Sequence, residues 1–158
     1  MKLIRLVQSL LGGRNNAPLT DQEIRRAAST FLGLDNKVNV RYETNAATRF
    51  IASIDEDGQE FGEIVFSSDI YPGRNIANPN AALTLKGAAA HELTHHYRWQ
   101  DKTELPHGEL THIDEAMTSL EAALRYTHAL DTTDIQGLIS DSLQRIRLFL
   151  AENHHEAD

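Results

Sequence analysis

The spacing of hydrophobic residues predicts helices at both ends of the chain and extended segments between them. The opening run MKLIRLVQSLLGG has apolar residues interrupted by Arg5 and Gln8, which predicts an amphipathic helix. After a loop at residues 12–18, Thr20 and Glu23 have the spacing of a capping box, in which each side chain accepts a backbone N–H of the other residue. We therefore predict a second helix from there to about Leu32, ending near Gly33.

The hydrophobic pattern changes from helical to extended at residue 38. Three runs rich in β-branched and aromatic residues follow, and they read VNVRYE, TRFIASI and EFGEIVFS. The last two are joined by DEDGQ, which contains the Asp-Gly signal of a tight turn. These runs predict an antiparallel meander, with residues 61–67 as its last strand.

Three further helices are predicted after a loop that contains Pro72, Gly73 and Pro79. The first spans about residues 81–100 with Asn80 as its cap. The second begins at a Thr111–Asp114 pair and runs to about residue 130, and the third covers about 132–151, before the tail ENHHEAD, which we expect to fray. A chain of 158 residues without repeats or linkers fits one α+β domain, spanning 1–158.

Composition and charge narrow the classes of function. The net charge of −8 would repel a phosphate backbone, so we expect no nucleic-acid partner and favour a neutral or basic polypeptide. No apolar run approaches the ~20 residues of a membrane span, and no cleavage site follows the first segment, so a cytoplasmic protein is expected. The chain has no cysteine, so any metal must be held by His, Asp or Glu.

The sequence GAAAHELTHHYRW contains the strongest chemical signal, the HExxH motif of residues 91–95. On a helix, His91 and His95 lie one turn apart on one face, so both imidazoles can reach one ion. Glu92 is rotated about 100° from His91, which places its carboxylate beside the metal as a candidate general base. A chance match in a chain with eight histidines is the alternative, but Gly87 on the same face indicates close packing there.

A zinc site needs a third protein ligand, and three residues are candidates. Asp101 has the spacing of one known arrangement, but that arrangement needs a glycine where this chain has Arg98. Glu115 lies on a helix face of its own, and a lone carboxylate there is costly to bury unless it is paired or bound to a metal. We rank Glu115 first and His112 next. The face of Glu115 also carries Ser119, Ala122 and Tyr126, which suits close packing on another helix. The same helix has two other faces. One is an apolar stripe of Ile113, Ala116, Met117, Leu120 and Leu124, and the other is a polar face of Asp114, Glu121 and Arg125, which we expect in solvent.

Residues 81–125 resemble the gluzincin zinc metallopeptidases, the group typified by thermolysin, including minimal gluzincins and the ImmA/IrrE type of bacterial regulatory peptidase. The resemblance rests on HELTH and on DEAMTS, whose Glu115 lies twenty residues after His95. It implies a zincin-like fold, with the β-meander packed on the HExxH helix, and Zn²⁺ held by His91, His95 and Glu115. Asp114 replaces the family's Asn and Ser119 its Asp. Because that Asp usually orients a ligand imidazole, the second change predicts weaker zinc binding or another acid in its role.

The resemblance and the motif together predict a zinc-dependent metalloendopeptidase. Glu92 would take a proton from a zinc-bound water, and the strand at 61–67 would be an open edge that pairs with a polypeptide substrate. For the oxyanion donor we rank His112 first, with His107 and Tyr71 in flanking loops as alternatives. Two other functions stay open: a zinc-binding regulatory or protein-interaction module with little hydrolysis, and a metal-free helical interaction protein.

Overall fold

A computed structural model describes residues 3–7, 14–73 and 82–154, and it has the mixed α+β architecture that the sequence predicts. Within these residues, four strands form one sheet, two of the four helices pack against it, and the other two pack on one of those helices. None of the helices in these residues is long and apolar enough to cross a membrane. In chain order the elements are β1 (Leu3–Val7), α1 (Asp21–Leu34), β2 (Asn39–Tyr42), β3 (Arg49–Ile54), β4 (Glu60–Phe66), a 3₁₀ turn (Ser68–Ile70), α2 (Leu85–Gln100), α3 (Thr111–Arg125) and α4 (Thr132–His154).

The start of the chain differs from the predicted amphipathic helix. Residues Leu3–Val7 form strand β1, which pairs antiparallel with β3 from Leu3 opposite Ile54 to Val7 opposite Phe50. The remainder of the predicted helix lies outside the described residues. The prediction was wrong at β1 because β3 offers an edge whose backbone groups need partners, and tertiary pairing of this kind overrides a local helical pattern.

The three central strands form where the sequence predicts them, but the meander is only partly correct. Strands β3 and β4 pair antiparallel around the predicted turn, whereas β2 pairs parallel with β4. The sheet order is therefore β1-β3-β4-β2, with β4 inserted between β2 and β3. Strand β4 pairs with β3 on one side and, over residues 63–66, with β2 on the other, so the expectation of an open edge at residues 61–67 was wrong. Among the described strands, β1 and β2 lie at the edges of the sheet.

The short connection from β2 to β3 explains how β4 comes to lie between them. Both strands meet β4 near its end, since Tyr42 pairs with Phe66 and Arg49 with Val65. Residues 43–48 thus cross over the end of β4. The crossing is fixed by Asp69, whose carboxylate accepts the backbone N–H of Thr48 at 3.0 Å and the hydroxyl of Thr48 at 2.5 Å. These bonds hold the sheet order through side chains, which strand patterning does not reveal.

Helix α1 begins with the predicted capping box at Thr20 and Glu23, and both of its reciprocal hydrogen bonds are present. It extends one residue beyond Gly33. Helix α2 begins later than predicted. Its cap is Thr84, whose Oγ accepts the N–H of Gly87 at 2.9 Å, while Asn80 lies outside the described residues.

Helix α2 packs against β3 and β4, and α1 packs against β2. At Gly62 in β4, an added Cβ would lie 2.8 Å from Nδ1 of His96 and 2.9 Å from Trp99, so only glycine allows α2 so close. His96 also stacks edge-on against Phe50 with ring centroids 5.7 Å apart. His96 is therefore a packing residue between helix and sheet.

Helices α3 and α4 form a hairpin that packs on α2. Helix α3 ends at Arg125, earlier than predicted, and α4 continues to His154 through part of the expected tail. Asp114, expected in solvent, is buried because its Oδ1 accepts a hydrogen bond from Nη2 of Arg98 at 2.5 Å. Asp114 also accepts the N–H of Leu105 at 2.9 Å, so it fixes the loop between α2 and α3.

A glycine on α4 gives a stability test of this packing. A Cβ added at Gly137 would lie 2.4 Å from the carbonyl oxygen of Ala82, whereas one at Gly33 in α1 would meet nothing within 4 Å. We expect Gly137→Ala to lower the free energy of unfolding by about 1–3 kcal/mol through overpacking. Gly33→Ala should raise it by up to about 1 kcal/mol, because alanine favours the helix. Urea unfolding followed by circular dichroism measures both, and a stabilised Gly137→Ala would contradict the packing of α4 on residue 82.

Candidate metal centre

Helix α2 buries both histidines of the HExxH motif on one face. His91 and His95 are 1% and 0% exposed, and their Nε2 atoms lie 3.1 Å apart. The residues before them are Ala88, Ala89 and Ala90, all fully buried, which let neighbouring elements approach the helix closely. Gly87 also contacts α4, since an added Cβ there would lie 3.6 Å from the backbone oxygen of Asp134. This is an ordinary van der Waals distance, so α4 packs at Gly87 as expected but not so closely that a glycine is required.

Helix α3 brings Glu115 to the same point. Its Oε2 lies 2.9 Å from Nε2 of His91, and its Oε1 lies 3.3 Å from Nε2 of His95. Ser119 and Ala122, the small residues that share its face, are fully buried against α2, as the sequence pattern predicts. The structure therefore brings together the three residues that were ranked as metal ligands, and Glu115 itself is 3% exposed.

The donor atoms of these residues fit a zinc ion. One ligand atom from each residue can be chosen so that all lie within 4.8 Å of one another. Zinc binds imidazole nitrogen and carboxylate oxygen at about 2.0–2.2 Å, so ligand atoms in a tetrahedral site are separated by about 3.3 Å. The two Nε2 atoms lie 3.1 Å apart, and each has one oxygen of Glu115 at 2.9 Å or 3.3 Å, so the three side chains are close enough to hold one ion. Among the residues described, this is the group of histidines and acids that could hold a metal ion.

The charges of the three residues depend strongly on one another. Burial alone would lower the pKa of His95, but the carboxylate of Glu115 outweighs burial and raises it to about 9. Burial alone would raise the pKa of Glu115, but His95 and His91 hold it well below its usual range. Without metal, a proton on His95 thus balances the buried carboxylate of Glu115. A metal cation would take over that role, since it binds the deprotonated forms of its ligands.

Glu92 lies one residue after His91 on α2 and is 0% exposed. It is outside the group of three ligand residues, as its rotation on the helix predicts. Its charge contributes to the raised pKa of His95, after the larger effects of burial and Glu115, so it lies close enough to act on the same centre. Its role as a base is therefore a proposal.

Arg14 is a buried residue of this region that the sequence did not single out. Its guanidinium donates to the carbonyl oxygens of Asp69, Ile70 and Leu83 at 2.6–2.7 Å. It therefore joins the end of the 3₁₀ turn to the start of α2. Burial lowers the pKa of Arg14 to about 10, although Asp69 and, more weakly, Glu92 act in the opposite direction. A single arginine in a loop has no pattern by which sequence could identify it.

Ser119 and Asp141 form a hydrogen-bonded pair that orients the ring of His91 through its Nδ1 atom. Nδ1 of His91 lies 2.8 Å from Oγ of Ser119, and that hydroxyl donates to Oδ2 of Asp141 on α4 at 2.7 Å. Because the carboxylate can only accept, the serine proton points at Asp141 and its oxygen accepts the Nδ1 proton of His91. This arrangement makes Nε2 the ring nitrogen that is available to a metal between Glu115 and His95.

Asp141 thus reaches His91 from the neighbouring helix, through Ser119. The two outcomes expected of the Ser119 replacement, weaker zinc binding or another acid in the orienting role, stay predictions, and Asp141 is the candidate for the second. Asp141 is 0% exposed, and its second oxygen lies 3.6 Å from Nε of Arg145. The sequence alone could have suggested Asp141 only as an acid on a helix that packs against α3. Its contact with Ser119 joins residues that are 22 positions apart in the chain.

We expect Ser119→Ala to weaken zinc binding by about 10–100-fold, the usual effect of removing a partner that orients a metal ligand. Ser142→Ala is a matched control, since Ser142 is equally buried on α4 but bonds only the carbonyl oxygens of Ala116 and Leu138. Competition titration against a zinc indicator measures both affinities. Equal zinc affinity in the two variants would show that the Ser119–Asp141 pair does not support the centre.

The other candidate ligands lie elsewhere. Asp101 is the exposed C-cap residue of α2, and it is not part of the three-residue group. His112 lies one turn before Glu115 on α3, but its Nε2 pairs with Oε1 of Glu152 on α4 at 3.1 Å. His107 lies in the exposed loop before α3, and the hydroxyl of Tyr71 donates to the backbone of Glu23 at 2.6 Å. The described contacts therefore place no hydrogen-bond donor for an oxyanion at the centre among His107, His112 and Tyr71.

Comparison with protein-family models, with curated proteins and with solved structures finds no match to this chain. The candidate centre therefore stands on its own residues and their geometry.

Proposed function

We propose that the chain is a zinc-dependent metallopeptidase whose metal is held by His91, His95 and Glu115. The observation that carries the proposal is the convergence of these three buried side chains, from two helices, at ligand-like separations of 2.9–3.3 Å. The set of three ligands was first suggested by the resemblance of the sequence motif. The fold gives separate support, because helices α2 and α3 could have packed together at other residues. The zincin-like fold is part of the same proposal.

The chemistry divides between the metal and the chain. Zinc, when bound, supplies a Lewis acid that makes an attacking water acidic near neutral pH. His91, His95 and Glu115 would hold the ion, and three protein ligands are the number that catalytic zinc sites use. Glu92 accepts the proton of the attacking water and returns it to the departing amine. Ser119 and Asp141 keep the ring of His91 turned so that Nε2 faces the site.

The substrate class rests on the motif alone. An edge at residues 61–67 would have favoured an extended peptide, but that strand is paired on both sides. A peptide bond remains the proposed target because an HExxH glutamate beside zinc is the arrangement that metallopeptidases use. The acidic chain, with a net charge of −8, favours neutral or basic substrates.

A second function has an observation of its own in its favour. The three ligands and Glu92 are between 0% and 3% exposed, so a polypeptide has little direct access to them in this conformation. A centre this enclosed suits a protein in which zinc joins α2 to α3 and the surface, rather than the metal, meets a partner. The two functions differ in whether zinc-loaded protein hydrolyses peptide bonds.

The test is cleavage of an unfolded protein by the zinc-loaded chain, with products identified by mass spectrometry. We expect hydrolysis that stops when a chelator removes the metal and returns when zinc is restored. Tight zinc binding without cleavage of unfolded protein or of a diverse peptide library would reject the peptidase and leave the zinc-dependent interaction module. Cleavage that persists without metal would reject both and indicate a contaminating protease.

A further inference from the structure

The hairpin of α3 and α4 exposes a set of large aliphatic side chains that the core does not use. We name this set the outer apolar face, and its members range from 41% exposed at Met117 to 80% exposed at Leu124. On each helix the members recur at intervals of three, four or seven residues, so they form one stripe per helix. The face consists of Met117, Leu120 and Leu124 on α3 and Ile139, Leu143 and Leu150 on α4.

The two stripes lie side by side on one surface. The helices touch where the hydroxyl of Ser142 donates to the carbonyl oxygen of Ala116 at 2.9 Å, and Leu143 and Met117 directly follow these residues. On the opposite side of the same seam, Asp141 meets Ser119, which faces the metal centre. Successive residues of a helix are rotated by about 100°, so the stripe residues lie on the opposite side of each helix from Asp141 and Ser119. Both stripes therefore face away from α2.

The size of this face matches one side of a dimer interface. From their exposed fractions, the six side chains present on the order of 500 Å² of apolar surface, near the upper end of the largest patch on a typical monomer. A standard interface buries about 800 Å² per partner, of which about 65% is non-polar in homodimers. The non-polar part of a standard homodimer interface is thus roughly 500 Å² per chain, the same as the apolar area that the outer apolar face exposes.

We propose that the outer apolar face is the interface of a homodimer, in which two α3–α4 hairpins pack against each other about a two-fold axis. A two-fold interface uses the same patch on both subunits, and two stripes on neighbouring helices provide such a patch. The two packed hairpins would form a four-helix arrangement that buries the six side chains of each chain. A membrane surface is a poorer occupant, because a chain of net charge −8 is repelled by anionic lipid headgroups.

The dimer would leave the metal centre free. Glu115 and Ser119 lie on the side of α3 that faces α2, whereas Met117, Leu120 and Leu124 lie on the side that faces away. A second copy would therefore cover neither the three ligands nor Glu92. The proposal is independent of zinc binding and of any hydrolysis.

Sedimentation velocity over a range of protein concentrations tests the proposal with the full chain. We expect the wild type to sediment as a dimer at micromolar concentration, and the double variant Leu124→Glu, Leu143→Glu to weaken the dimer by at least about a hundredfold. Added salt should strengthen association, because it screens the repulsion between two acidic chains and leaves an apolar contact intact. Circular dichroism confirms that the double variant keeps its helices.

The matched control is Leu32→Glu, which changes a leucine that is 65% exposed on α1, far from the hairpin in sequence. It should leave the dimer unchanged. A wild type that stays monomeric at its highest soluble concentration would overturn the proposal. So would a dimer that survives the double variant, or one that Leu32→Glu dissociates equally well.

Cysteine cross-linking gives a second readout that does not depend on disrupting the interface. The chain has no native cysteine, so a single Leu120→Cys, Ile139→Cys or Leu143→Cys forms a covalent dimer only if two copies bring that position together. We expect at least one of these to cross-link rapidly under mild oxidation, and Leu32→Cys not to. Equal, slow cross-linking at all four positions would reject the interface.

Discussion

Replacing Glu92 by Gln should lower the rate of peptide hydrolysis by about 10²–10⁴-fold while zinc content stays at the wild-type value. Gln has the size and shape of Glu, so the fully buried position on α2 keeps its packing. The amide cannot accept a proton from the attacking water, which is the role that the proposal gives to this residue. Because Glu92 lies outside the three ligand residues, metal binding does not need its charge.

The measurement compares wild type, Glu92→Gln and a control, Glu121→Gln, for zinc content and for cleavage of the same unfolded substrate. Glu121 is a partly buried acid on α3 that lies outside the metal group, and its replacement should leave both quantities unchanged. Equal cleavage by wild type and Glu92→Gln would show that Glu92 is not the base. Loss of zinc in Glu92→Gln would show that its role is structural.

Removing Glu115 should weaken metal binding more than removing either of the other two candidates for the third ligand. We expect Glu115→Ala to weaken zinc binding by more than the 10–100-fold expected for an orienting residue, because a ligand itself is lost. Glu115→Gln keeps the volume of the side chain and separates this effect from a packing defect between α2 and α3. His91→Ala and His95→Ala should be comparable in effect.

The controls are the two other candidate ligands. Asp101→Ala and His112→Ala should bind zinc as the wild type does, since Asp101 is an exposed helix cap and His112 pairs with Glu152. Titration of metal-free protein with zinc, by calorimetry or with a competing indicator, gives the order of affinities. A larger loss in His112→Ala or Asp101→Ala than in Glu115→Ala would reject the assignment of the third ligand.

The sequence predicts best what depends on neighbours along a helix. His91 and His95 share a face because of their spacing alone, and Glu115 was distinguished because its face carries the small residues Ser119 and Ala122. The structure brings these residues together. The capping box at Thr20 is likewise a local feature, and it is present with both bonds.

The features that sequence could not predict depend on contacts between distant segments. The sheet order is fixed by Thr48 bonding to Asp69, and β1 forms because β3 has an open edge to pair with. Asp114 is buried because Arg98 reaches it from another helix, and a helical wheel of α3 alone cannot show that. Asp141 belongs to the centre for the same reason, since only the packing of α4 on α3 brings it to Ser119.

The outer apolar face shows a second limit of pattern reasoning. Met117, Leu120 and Leu124 form an apolar stripe that by its spacing is indistinguishable from one that packs into the core. In the structure they are exposed, while the core side of α3 is formed by Glu115, Ser119 and Ala122. The polar and small residues thus face inward because they build the candidate centre, and the apolar stripe is left for another surface.

The central claim is that one zinc ion lies between α2 and α3. Its most direct test is a crystal of the zinc-loaded protein with diffraction recorded on both sides of the zinc absorption edge. We expect an anomalous peak about 2.0–2.2 Å from Nε2 of His91, Nε2 of His95 and a carboxylate oxygen of Glu115. No peak at these three residues, or a peak at another group such as His112 and Glu152, would contradict it.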